Sequence, residues 1–283
     1  MLALEDIHKG YGETLALRGL SLRAEPGEVL GILGPNGAGK STTIGIASGL
    51  RSPDSGAASI NGKNPREHAA RRDLGVAPQE MALYPDLTGR EHLRLFAELY
   101  GISPADREKA INNALEQVGL EPRARHRVYA YSGGMKRRLA LAGAVLHSPN
   151  VVLLDEPTAG VDAQAREAIL DIARRTAARG AAVVYCTHYM EEAQSICDRV
   201  AILDHGELVA IGTVDQLLTE HAGQAIVTIE RTNSTIRTES ADPAAYLANE
   251  LSRESDAQIT NIAIEQPSLE SVFFSLTGRS LRD

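Results

Sequence analysis

A chain of 283 residues with 43% hydrophobic residues is long enough for one large α/β domain and a smaller companion, which points to a folded globular protein. Its formal charge of -8 argues against a free-standing nucleic-acid binder, because phosphate contacts need clustered Lys and Arg. The one such cluster singled out, Lys136-Arg137-Arg138, reads as a solvated helical face in preference to a nucleic-acid contact. Cys186 and Cys197 lack the spacing of a metal site or redox pair and read as core thiols. No stretch reaches the roughly 18 apolar residues of a membrane span, and the start of the chain lacks a signal-peptide pattern, so a cytoplasmic location is expected.

Residues 1 to about 80 read as strands and turns around the run Gly34-Pro35-Asn36-Gly37-Ala38-Gly39-Lys40-Ser41-Thr42. That run follows the apolar Val29-Leu30-Gly31-Ile32-Leu33 and leads into a helical segment, the context of a phosphate-binding loop. Its glycines let backbone N–H groups turn toward phosphate oxygens, the helix start adds its positive end, Lys40 adds a full charge and Ser41 offers a hydroxyl to Mg²⁺. A nucleoside triphosphate and Mg²⁺ are therefore the expected ligand and cofactor. Ala57 to Gly62 predicts a strand and turn, and Leu74 to Ala77 another strand. From Thr88 the period becomes helical: Thr88-Gly89-Arg90-Glu91 is a capping box, Ser103-Pro104 opens a second helix, and Gly119 closes it. Residues 88 to about 146 thus form a helical insert. Val151 to Leu154 and Ala182 to Tyr185 read as strands of a buried parallel sheet, separated by a helix from Ala163 to Arg179 that ends at Gly180. At the end of the first of these strands, Asp155 can reach Mg²⁺ and Glu156 can polarise a water for attack on the γ-phosphorus. After Gly212 the pattern changes to a strand at 225–230, a helix at 244–252, a strand at 259–265 and a helix at 268–277. A boundary is expected near 218.

Tyr131-Ser132-Gly133-Gly134-Met135 directly precedes a helical pattern; Ser132 can cap the helix or bond a phosphate, and the glycines bare the backbone to an anion. This run resembles the signature of ABC ATPases, in which the Ser and glycines complete the nucleotide site of a partner subunit. The resemblance covers roughly residues 1 to 215. It implies that Tyr11 stacks on adenine, Gln79 senses Mg²⁺ and the transport partner, Gly160-Val161-Asp162 crosses a dimer interface, and His188 contacts the γ-phosphate. The signature departs from the family pattern at Tyr131, where Leu is usual, and at Met135, where Gln is common. Such variation, with the tail Pro267 to Arg279, resembles the branch that powers drug, lipid, polysaccharide and Nod-factor exporters.

The expected fold is α/β, a P-loop NTPase of ABC type with its helical subdomain at about 88–146, a cassette over 1–218 and a small C-terminal α/β appendage over 219–283. The resemblance makes the nucleotide ATP and implies an ATPase that dimerises with itself, or with another ATPase subunit, and drives an integral membrane permease from the cytoplasmic face. Gln79 and the segment Met81 to Leu87, together with the absence of a span, motivate the expectation of that partner. A soluble ABC ATPase of cofactor assembly is the alternative within the family. A phosphate-loop kinase or GTPase would leave Ser132-Gly133-Gly134 and His188 without a task, and no Asn-Lys-x-Asp guanine motif is present.

Overall fold

The computed structural model describes residues 1–252 and 258–279; residues 253–257 and 280–283, which fall within the expected appendage, lie outside the described residues. The chain divides into two compact units, Met1–Thr213 and Val214–Asp283.

The first unit opens with β1 (Leu2–Tyr11) and β2 (Thr14–Ala24), an antiparallel pair that turns at Gly12 with a φ of 60°. Leu4 faces Leu22 and Ile7 faces Leu20 across that pair, and all four are buried, so apolar cross-strand contacts set the register. There follow β3 (Val29–Leu33), α1 (Lys40–Ala47), β4 (Ser55–Ile60), α2 (His68–Arg71) and β5 (Leu74–Ala77). The helical stretch comprises α3 (Gly89–Leu99), α4 (Pro104–Gln117) and α5 (Gly133–Val145). Both sequence caps form: Thr88 and Glu91 make a reciprocal capping box, and Ser103 accepts from the Asp106 amide ahead of Pro104. The unit ends with β6 (Val151–Asp155), α6 (Ala163–Ala178), β7 (Ala182–Thr187), α7 (Met190–Ile196), β8 (Arg199–Asp204) and β9 (Glu207–Thr213).

Six strands form one sheet in the order β5-β6-β7-β3-β8-β9, parallel except for the edge pair β8 and β9. Every residue of β3, β6 and β7 is buried, which is why these segments read as continuous apolar runs. A second sheet, β2-β1-β4, shares a core with the first through Leu4, Leu17 and Ile60 on one side and Leu30, Ile32 and Leu153 on the other. The last helix of the insert, α5, also packs against β5, and Gly75 is what permits it: a Cβ there would lie 2.0 Å from the Ala144 carbonyl oxygen. The insert is thereby welded to the sheet at one end.

The second unit contains α8 (Val214–His221), β10 (Ala225–Arg231), β11 (Ser234–Ser240), α9 (Pro243–Ser252), β12 (Ile259–Glu265) and α10 (Leu269–Thr277). Its antiparallel sheet runs β11-β10-β12. The division falls at Thr213 rather than near residue 218 because α8 packs on α10, inside the second unit.

Candidate active site

Parallel topology brings the site together. Adjacent strands β6, β7 and β3 align Asp155 with Cys186 and Cys186 with Ile32, so the segments that follow them all leave the same edge of the sheet. In open parallel sheets, ligands bind outside the carboxyl ends of strands where the connections diverge.

In the loop after β3, two glycine positions are packed too closely for a side chain. A Cβ at Gly34 would lie 2.3 Å from the Leu203 carbonyl oxygen, and Gly39, at φ 104°, would meet Ala16 O at 2.7 Å. Gly39 is the N-cap of α1, and no side chain caps the helix there. Its first amides and the positive end of its dipole are left for an anion. The Lys40 ammonium donates to the carbonyl oxygens of Gly34 at 2.6 Å and Pro35 at 2.9 Å. Burial pulls its pKa down, while Glu156, Cys186 and Asp155 pull it back up.

A cleft of about 250 Å³ opens over this loop, walled by Tyr11 and Ala16, by Asn36, Gly37 and Gly39 to Thr42, and by Gln79 and Glu156. Tyr11 is 44% exposed at its rim, with its hydroxyl accepting from Arg51 at 2.5 Å. At the far wall the Glu156 carboxylate is gripped twice: Gln79 Nε2 donates to Oε2 at 3.2 Å, and His188 Nδ1 lies 3.1 Å from Oε1. Glu156 itself has a φ of 46°, a left-handed conformation that costs a non-glycine residue about 1–3 kcal/mol. This residue lines the cleft. Next to it, burial raises the pKa of Asp155 and the Ser41 hydroxyl lowers it; Glu156 adds to the rise. Asp155 Oδ1 is buried without a hydrogen-bond partner.

The signature residues stand apart from this cleft. Ser132, Gly133, Gly134 and Met135 form none of its walls. Ser132 caps α5 by accepting from the Met135 amide at 3.2 Å, and Gly133 is exposed. Gly134 is buried, and a Cβ there would lie 2.8 Å from Ala165 Cβ, so the packing of α5 leaves no room for a side chain at this position. Gly160, at φ 71°, presents its carbonyl toward Gly133, and Asp162 caps α6 by accepting from the Ala165 amide at 2.7 Å.

Two of the three residues of the basic run are bound to backbone carbonyls rather than simply solvated. Arg137 donates to the carbonyl of Gln79 at 2.6 Å and of Pro78 at 3.3 Å, fixing the loop that presents Gln79, and Arg138 donates to Val118 O at 2.9 Å. Burial lowers the Arg137 pKa against the opposing pull of Glu156 and Asp155. Nothing in the local sequence marks Arg137 out, since its acceptors lie on a distant loop. Cys186 and Cys197 are both buried free thiols, as expected of core residues.

Comparison with known proteins agrees with this geometry. A family model described as ABC transporter matches residues 17–159. The linearmycin resistance ATP-binding protein of Bacillus subtilis (strain 168) is 36% identical over 311 aligned positions, covering 100% of both chains. A Nod factor export ATP-binding protein I of Paraburkholderia xenovorans (strain LB400) is 36% identical, covering 100% of this chain and 98% of its own. Among solved structures, a dimeric ATP-binding cassette in a post-hydrolysis state, bound to ADP and Pi, superposes with a TM-score of 0.68 at 29% identity over 75% of this chain and 98% of that one. The chain belongs to the ABC transporter family: it is an ATP-binding subunit and an ATPase, with a P-loop cassette as its first unit.

Proposed function

We propose that the chain is the motor subunit of an exporter. It binds ATP and Mg²⁺ in the cleft over Lys40, closes head to tail on a second subunit, and drives a separate integral membrane permease from the cytoplasmic face. The observation that carries this reading is the one-sided cleft, whose walls include the phosphate loop, Gln79 and Glu156 but none of Ser132 to Met135. A second subunit, identical or a related ATPase, supplies the missing wall through its own signature, with Gly160 and Asp162 at the seam.

Within this site, Tyr11 stacks on the adenine, the amides from Asn36 to Thr42 and the Lys40 ammonium hold the phosphates, and Ser132, Gly133, Gly134 and Met135 cover the γ-phosphate from the other subunit. An orphaned, buried carboxylate oxygen on Asp155 beside the Ser41 hydroxyl is a donor set suited to Mg²⁺, a hard ion that prefers oxygen; Gln79 adds an amide oxygen. Bound there, the ion neutralises charge on the β- and γ-phosphate oxygens. Glu156 accepts a proton from the attacking water, and His188 holds the carboxylate through Nδ1, leaving Nε2 for the γ-phosphate.

Two features support the membrane partner. No helix among the described residues is long and apolar enough to cross a membrane, so the chain relies on another protein for the transport path. Beside the Gln79 loop lies an apolar groove of about 410 Å³ lined by Pro78, Ala82, Leu83, His92 and Phe96, the place where Met81 to Leu87 meets the helical insert. The relatives' names, linearmycin resistance and Nod factor export, favour outward transport. Purification of the tagged chain from its native membrane is expected to bring down a multispan protein, and Leu83→Glu in the groove to release it. Full ATP-driven function in membrane-free extract would refute the reading.

A further inference from the structure

Behind the active site, a buried carboxylate is surrounded by hydroxyls. Glu192 in α7 is 3% exposed, and its Oε2 accepts from Thr158 at 2.9 Å, Tyr185 at 2.9 Å and Thr187 at 3.1 Å. Its Oε1 faces Arg166 Nε at 3.4 Å. Burial is the main cause of the strongly raised Tyr185 pKa, and the neighbouring Glu192 adds to it, so that hydroxyl stays protonated and donates.

The donors come from the two chain segments that build the catalytic pair. Thr158 lies two residues after Glu156, and Thr187 lies one residue before His188. Thr187 Oγ1 also accepts the Tyr189 amide at 2.9 Å, which fixes the turn that carries His188. The Arg166 guanidinium lies over the Tyr189 ring at 5.2 Å, and that ring is 4.1 Å from the His188 ring. One carboxylate oxygen therefore ties the segment after Glu156 to the segment before His188. It also braces the strained backbone of Glu156, since such a conformation persists only where its surroundings enforce it.

We infer that Glu192 is a positioning residue for ATP hydrolysis, clamping Thr158 and Thr187 to hold Glu156 and His188 at hydrogen-bonding distance. This rests on the proposed roles of those two residues. Gln at position 192 keeps the shape but cannot do the same job. Its neutral carbonyl oxygen is a weaker acceptor for the three hydroxyls that Oε2 serves, and its amide, a donor, then faces the Arg166 guanidinium in place of the carboxylate oxygen.

The test is steady-state ATP hydrolysis by the full chain. Glu192→Gln is expected to lower kcat by about 10- to 100-fold, the usual cost of misplacing a reacting group by an ångström, with KM for ATP within about twofold because Lys40 to Thr42 are untouched. In a His188→Ala background, where the clamped partner is already gone, Glu192→Gln is expected to add little further loss. A purely structural role would lower the melting temperature and leave kcat per folded molecule unchanged, or give losses that multiply in the double variant; either result overturns the inference. Should Glu192→Gln fail to fold, Thr158→Val and Tyr185→Phe decide, and native kcat in both overturns it equally. Glu156→Gln serves as control: if it hydrolyses ATP like the native chain, the proposed role of Glu156 falls first and the inference with it. If that control is inactive while Glu192→Gln is fully active, only the inference falls.

Discussion

The N-termini of α1 and α5 both carry glycines, before the first helical residue in α1 and within the first turn in α5, and they are finished differently. At α1 the helix has no side-chain cap, Gly37 and Gly39 take φ values of 86° and 104°, and the Lys40 ammonium sits against the loop carbonyls. At α5 the Ser132 hydroxyl caps the Met135 amide, Gly134 is pressed onto Ala165, and of the two glycines only Gly133 is left exposed. An uncapped end with a buried lysine is a phosphate site in its own right; a capped end with one bare glycine can add a contact but cannot hold a triphosphate alone. This difference is the physical basis for assigning primary binding to one end and a role in closing the partner's site to the other.

The contrast can be broken from either side. The largest effect is expected in the cleft over the phosphate loop: Glu156→Gln should lower kcat by about 10²–10⁴-fold while leaving ATP binding intact, measured by phosphate release and by nucleotide titration. Next, Lys40→Ala removes charge-assisted hydrogen bonds from the primary site and should weaken ATP binding by about 10- to 100-fold in a single subunit. Ser132→Ala should leave that single-subunit affinity unchanged. It removes a helix cap worth about 1 kcal/mol, a fall of roughly 2–4 °C in melting temperature for a domain of this size, and slows hydrolysis only where dimers form. If Ser132→Ala weakened binding to isolated subunits as much as Lys40→Ala, the two ends would be equivalent and the assignment would fail.

The smallest predicted effect concerns pH. Burial lowers the pKa of His92 and of His147 from 6.5 to about 4, so the fold keeps both neutral while the unfolded chain binds protons below about 6.5. Stability present above that pH is lost as the pH falls toward 4. Thermal melts should therefore show a lower melting temperature at pH 5 than at pH 7.5, and His92→Leu should narrow that difference.

Legibility followed where the energy is local. The buried parallel strands β3, β6 and β7 show as apolar runs, and the caps at Thr88 and Ser103 show because a helix start needs its acceptor within three residues. Strand β11, Ser-Thr-Ile-Arg-Thr-Glu-Ser, did not show: it is an edge strand with no buried residue, so nothing apolar alternates strongly enough to mark it. The phosphate loop and Asp155-Glu156 are local patterns, but the grip of Gln79 and His188 on Glu156 spans 77 and 32 residues and follows only from strand order. Arg137 was misread as solvated for the same reason, its acceptors being 58 and 59 residues away. Glu192 sits beside Glu191 in an acidic helical pair that sequence alone leaves indistinguishable from a surface face.

The most direct test of the composite site is sedimentation of Glu156→Gln with and without ATP. The account predicts a species of 30.3 kDa without nucleotide, twice that mass with ATP and Mg²⁺, and a return to the single mass when Ser132→Arg is added. A protein that stays at the single mass in saturating ATP, or whose dimer survives Ser132→Arg unchanged, would contradict it.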